Sequence, residues 1–181
     1  MPEGSLERML RAANAAPSVG LSQPWDFVVV RDRGLRADFK THVLEERARF
    51  AEELGSDRRE QFSGIKIEGI EEATLGLVVT YDRSRGAPHV LGRHAIADAG
   101  LYSVCLAIQN LWLAATAENV GMGWVSFYRE EFLAHLLGVP EGIRPVAWLC
   151  IGPVSHLETI PDLEAHGWAE RRPLAVHTDG W

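Results

Sequence analysis

The segment from Ala95 to Asn119 constrains this chain more than any other. Ala99, Leu101, Tyr102, Cys105, Ile108, Leu111, Trp112 and Ala115 fall around most of the circumference of a helix, and a helix apolar nearly all round must be covered from several sides. The spacing therefore predicts one long helix at the centre of the fold or at a subunit interface, with the rest of the chain arranged about it. With 181 residues, 46% of them apolar, the chain suits a single domain, 1–181, with one continuous core.

Around that helix the pattern alternates between α and β without repeats. Leu6, Met9, Leu10 and Ala13 recur at helical spacing, and Pro2 and Glu3 suit a first turn, so an amphipathic helix opens the chain and stops before Pro17. Pro17 to Pro24 is turn-rich, and WDFVVVRD after it reads as a short, largely buried strand. Two helices follow between Arg33 and Glu72, then the β-branched run LGLVVTYD as a central strand, then a charged loop from Asp82 to Arg93. Gly121 to Phe127 reads as a strand, EEFLAHLLG as a helix ending at Gly138, and PVAWLCIG as a last strand. The tail from 153 to 181 carries Leu157, Ile160, Leu163, Trp168 and Leu174, too apolar for a solvated tail. It packs either on its own domain or over a partner subunit.

Charge and motif content exclude several functions. A net charge of −7 offers nucleic acid no basic face. Cys105 and Cys150 sit in apolar segments and read as buried thiols outside any CxxC pair, and no histidine spacing supports a metal site. The N-terminus carries charges where a signal peptide needs an apolar run, and no stretch approaches the ~20 apolar residues of a membrane span, which points to a reducing cytoplasm.

Three patterns, APSVGLSQPWDFVVV, LYSVCLAIQNLWLAATAENVGMGWVSFY and VAWLCIGPV followed by GWAERRPL, together resemble the 5,6-dimethylbenzimidazole synthases of the nitroreductase superfamily, from about Pro2 to Trp181. The resemblance implies an α+β nitroreductase-like fold, with a four- or five-stranded mixed sheet flanked by helices, in an intertwined homodimer with FMN at the subunit interface. It implies that reduced FMN is consumed as a substrate with dioxygen, giving 5,6-dimethylbenzimidazole, the lower ligand of vitamin B12, and erythrose 4-phosphate. A separate flavin reductase would supply the reduced flavin. The alternatives are an NAD(P)H-dependent nitroreductase-like flavoprotein that keeps its FMN, and a shortened chain that binds flavin weakly and is no enzyme.

Such chemistry needs no conventional nucleophile, only groups that hold a phosphate, a ribityl chain and a flat ring while excluding water. Pro17, Ser18, Gly20 and Gln23 are expected flavin contacts: small residues admit the backbone, and the polar side chains offer hydrogen bonds. By the resemblance Ser126 sits beside flavin N5 and is the catalytic residue, a hydroxyl inside an apolar strand that needs a partner. Leu91 and Gly92 come near the ring or ribityl chain, while Arg83, Arg85 and Arg93 are either flavin ligands or solvated charges. Ser103 reaches a cofactor edge or bonds its own helix. Arg171 matches a family arginine suited to phosphate, against a surface salt bridge, and Trp168 closes the pocket or merely packs. Family members also carry an Arg-Arg-Asp-x-Arg run ahead of the first helix, for the phosphate and for ring cleavage. The 181 residues begin just after its place, so the reading expects an internal start and weak FMN binding by this length of chain.

Overall fold

In a computed structural model describing residues 1–86, 88–157 and 159–181, four strands form one sheet with helices on both faces. The elements are α1 (Ser5–Asn14), β1 (Trp25–Val30), α2 (Arg33–Glu52), α3 (Ser56–Ser63), β2 (Leu75–Asp82), α4 (Ala99–Ala117), β3 (Val120–Val125), α5 (Glu130–Leu137), β4 (Ile143–Pro153) and α6 (Asp162–Ala165). The strand order is β1-β2-β4-β3, and all three pairings are antiparallel. The α+β class stands, but these four strands make an antiparallel sheet where the resemblance implied a mixed one.

The central strands explain their uninterrupted apolar sequences, because they are covered on both faces. Leu75, Leu77 and Val79 of β2, with Ala147, Leu149 and Ile151 of β4, face α1 and α4. The intervening Val78, Trp148 and Cys150 face the second core, with Phe39 and Val43 of α2 and Leu133 of α5. Trp148 stacks on Phe39 with ring centroids 3.9 Å apart. Period-2 alternation thus sends apolar side chains into two cores at once.

β1 departs from its expected burial. It lies at the sheet edge with only one neighbouring strand, and Val28 and Val29 in its middle are exposed.

α4 has the length and apolar composition of a membrane span, contrary to the sequence reading that no stretch approached one. Here it serves as a core helix on one side only. Val104, Ala107, Ile108, Leu111 and Ala115 are buried against Met9 and Ala13 of α1 and against β2, and the Asn110 amide donates to the Ala12 carbonyl at 3.2 Å. On the opposite side Tyr102, Leu106 and Leu113 are 56%, 46% and 58% exposed, and Cys105 is exposed with them. Cys105 is therefore not the buried thiol its apolar neighbours suggested, whereas Cys150 is buried and burial raises its pKa. The tail beyond β4 behaves similarly: Leu174, Val176 and Trp181 are fully or nearly fully exposed.

Candidate flavin site

The turn-rich segment before β1 is held in an unusual backbone. Gly20, Leu21 and Gln23 have φ of 54°, 52° and 40°, left-handed values that cost a non-glycine residue energy and persist only where the surroundings enforce them. The enforcement is visible. The Ser103 hydroxyl accepts from Val19 N–H at 3.0 Å and donates to its own helix at Ala99 O, 2.7 Å away. Ser18 Oγ accepts from Gln23 N–H at 3.0 Å, Ser22 Oγ donates to Val19 O at 2.8 Å, and the Gln23 amide donates to Asn14 O at 3.0 Å.

The charged loop packs onto this segment. A Cβ on Gly20 would lie 2.7 Å from the Leu91 amide nitrogen, so only glycine lets the two backbones meet. Gly92, at φ 88°, faces Val19. Arg85 donates to the Gln23 and Trp25 carbonyls at 3.2 and 2.6 Å and pairs with Asp26. Arg93 donates to Arg83 O at 2.8 Å. Arg85 and Arg93 therefore brace the loops, a role that neither expectation had given them. Pro17, Ser18, Gly20, Gln23, Leu91 and Gly92 form one cluster, with Leu21 and Leu91 projecting from it 79% and 84% exposed.

Ser103 requires correction. It is 3% exposed, and its single proton goes to Ala99 O while its oxygen receives Val19 N–H. It bonds its own helix, the second of its two readings, and anchors the turn at Val19 rather than presenting a free hydroxyl to a cofactor. Ser18 and Gln23 keep capacity for a ligand: the Ser18 proton and the Gln23 side-chain carbonyl are uncommitted among the described residues. Small residues, exposed apolar side chains, one donor and one acceptor suit the edge of a flat heterocycle, so these residues fit a flavin.

Ser126 lies elsewhere. β3 ends at Val125, so Ser126 is exposed just beyond the strand and needs no internal partner, contrary to the expectation of a hydroxyl inside an apolar strand. Val125 pairs with Trp148, Trp148 with Val78, and Val78 with Val28. At about 4.8 Å per strand, Ser126 is some 14 Å across the sheet from the β1 edge where the loop cluster sits. One chain does not bring the catalytic candidate and the loop cluster together.

Around Ser126 the structure gathers a second cluster of charged and aromatic side chains. Glu46, 9% exposed, accepts from Arg129 at 3.0 Å and from Arg49. The Arg129 hydrogen bond, more than the charges, holds the Glu46 pKa below the usual carboxylate range. Arg129 N–H donates to His42 Nε2 at 3.0 Å, tying the segment after Ser126 to α2. Burial pushes the Tyr128 phenol up to about 12, and its hydroxyl bonds Val146 O at 3.1 Å. Trp168 lies against Phe50 and Phe62, with the Arg58 guanidinium 3.9 Å above its ring. Arg171 extends from the same tail, 65% exposed, its Nε 3.4 Å from Glu164 Oε2. A phosphate would have to compete with that carboxylate.

These features define a class. The chain belongs to the nitroreductase family, whose model matches residues 1–153. It is 41% identical over 178 residues to the 5,6-dimethylbenzimidazole synthase of Rhodospirillum rubrum, covering 96% of this chain and 82% of the relative. It is 35% identical over 171 residues to the synthase of Rhodobacter capsulatus, with 94% and 83% covered. Among solved structures, it is similar to iodotyrosine deiodinase bound to FMN and 3-iodo-L-tyrosine. There the TM-score is 0.76 and the identity 22%, with 100% of this chain and 90% of that chain covered.

Proposed function

We propose that the chain is an oxygen-dependent enzyme that fragments reduced FMN to 5,6-dimethylbenzimidazole and erythrose 4-phosphate, acting as a homodimer. The observation that carries this reading is the 41% identity to a synthase of that name over nearly the whole chain. The separation of the two half-sites supports the dimer: a two-fold axis would set the Ser18–Gln23 and Leu91–Gly92 cluster of one protomer against Ser126 of the other. The exposed apolar stripe of α4 and the uncovered tail supply surface for that contact.

Reduced FMN, when bound, supplies both the electrons for dioxygen and the carbon skeleton of the aromatic product. The chain contributes position and protons. The left-handed loop presents the Ser18 hydroxyl and the Gln23 carbonyl at fixed places, and Leu21 and Leu91 exclude water from one face. Ser126, with a hydroxyl free of partners among the described residues, is the group able to exchange a proton with the reacting centre. Tyr128, held neutral and bonded to Val146 O, adds no charge beside it. Arg171 is the matched ligand for the phosphate, and the reading sets the enzyme in the cytoplasm beside a separate flavin reductase.

The test is to incubate the protein with FMN, a flavin reductase, NADH and air, and to seek 5,6-dimethylbenzimidazole by chromatography and mass. Ser126→Ala should cut product formation about 100-fold while FMN affinity stays within about threefold. Turnover of NADH onto a nitro acceptor with the flavin intact and no benzimidazole would replace this reading with an ordinary nitroreductase. An undiminished yield from Ser126→Ala would remove that residue from the mechanism.

A further inference from the structure

Beside Ser126 the cluster that holds Trp168, Phe50 and Phe62 opens into an aromatic cavity, distinct from the Ser18–Gln23 and Leu91–Gly92 cluster. Its volume is ≈ 340 Å³, at the low end of the ~300–1,000 Å³ typical of small-molecule pockets.

Its walls come from four parts of the chain. Phe50 of α2, Phe62 of α3, Phe127 after β3 and Trp168 of the tail surround it, with ring centroids 5.1 to 6.5 Å apart in tilted or edge-on pairs. Phe62 and Ile65 form a buried floor. Trp168 forms the roof, fixed to α3 where Gln61 donates to Gly167 O at 2.7 Å and Arg58 donates to Trp168 O at 3.3 Å. The Ser126 hydroxyl is a polar group at the wall, and Asp162 stands at the mouth. Lys66 is the one cation among the described lining residues, and it is paired with Glu72 at 2.9 Å.

We infer that this cavity binds a neutral, flat, two-ring heteroaromatic of the benzimidazole class and holds the aromatic product after it forms beside Ser126. The inference rests on the proposed synthase activity. Of the two products named above, which leave the pyrimidine part of the flavin as a further fragment, one is neutral and planar, matching aromatic walls that favour stacked and edge-on rings. The other is a phosphate dianion, for which the lining offers no uncommitted cation. The cavity therefore separates them, retaining the ring and rejecting the sugar phosphate.

The test is calorimetric titration of the full chain with 5,6-dimethylbenzimidazole itself, run beside the synthase assay on the same preparation. Saturable binding at one site per chain is expected. Benzimidazole, lacking the two methyl groups, should bind about tenfold or more weakly. Trp168→Ala should weaken binding about tenfold or more and Trp168→Phe by less than about threefold. Leu163→Lys, at an exposed position of the mouth, should weaken it without disturbing either core. Absence of saturable binding, or equal affinity in Trp168→Ala and Leu163→Lys, overturns the inference even if product forms. Binding that depends on Trp168 without any product formation leaves the cavity assignment standing and overturns the synthase reading alone.

Discussion

Replacing Ser103 with Ala separates two roles for that residue. Its hydroxyl is 3.0 Å from Val19 N–H, and no other acceptor for that N–H is present among the described residues. Leaving a part-buried donor unpaired costs about 1–3 kcal/mol, and alanine returns up to about 0.5 kcal/mol in helix propensity. The net loss is about 0.5–3 kcal/mol, or roughly 1–12 °C in Tm for a chain of this size. Calorimetry on flavin-free protein is the decisive assay, since a residue that only touched the cofactor would leave that Tm unchanged. FMN affinity should fall as well, because Gly20, Leu21 and Gln23 lose a restraint on their left-handed backbone. A flavin-free Tm within about 1 °C of the unmodified chain would refute the anchoring argument.

Gly20→Ala sets a Cβ 2.7 Å from the Leu91 amide, so it should lower stability by about 1–3 kcal/mol and weaken FMN binding, read by thermal unfolding and flavin fluorescence. The Arg8 guanidinium, bonded to Glu118 at 2.7 and 2.8 Å, lowers the Glu118 pKa from 4.5 to about 2. Because the folded value is depressed, its stabilising contribution is present above about 4.5 and is lost as pH falls toward 2. Glu118→Gln should therefore flatten the acid limb of a stability–pH curve in that window, and an unaltered limb would count against the pairing. Sedimentation at micromolar concentration should give a dimer, and Leu106→Arg on the exposed stripe of α4 should shift it toward monomer. A monodisperse unmodified monomer would sink the two-half-site proposal.

Local signals made most elements legible. Proline and glycine punctuation, helical spacing and β-branched runs located α1, α4, α5 and the four strands to within a few residues, while α2 and α3 read only as two helices between Arg33 and Glu72, because each signal depends on neighbours a few positions away. Gly138, at φ 62°, closes α5 where the pattern set its end. The segment Pro17–Pro24 and the loop ending at Gly92 were recognisable as parts of a site because small and turn-forming residues cluster there. Their mutual contact was not, since Val19 and Ser103 are 84 positions apart and Arg85 and Gln23 are 62 apart. No local pattern encodes such a pair.

Tertiary structure alone decided the rest. Sheet order put β1 at an edge and exposed Val28 and Val29, although the strand's composition resembles that of buried β2. An apolar helix does not declare which of its faces its own chain will cover, so Cys105 emerged on the open side of α4 while Ser103 became a buried anchor. The aromatic cavity draws on α2, α3, the end of β3 and the tail, and in sequence Phe127 read only as the end of a strand. Residue type and local spacing determine which elements form, whereas the meeting of side chains from distant elements follows from how those elements pack.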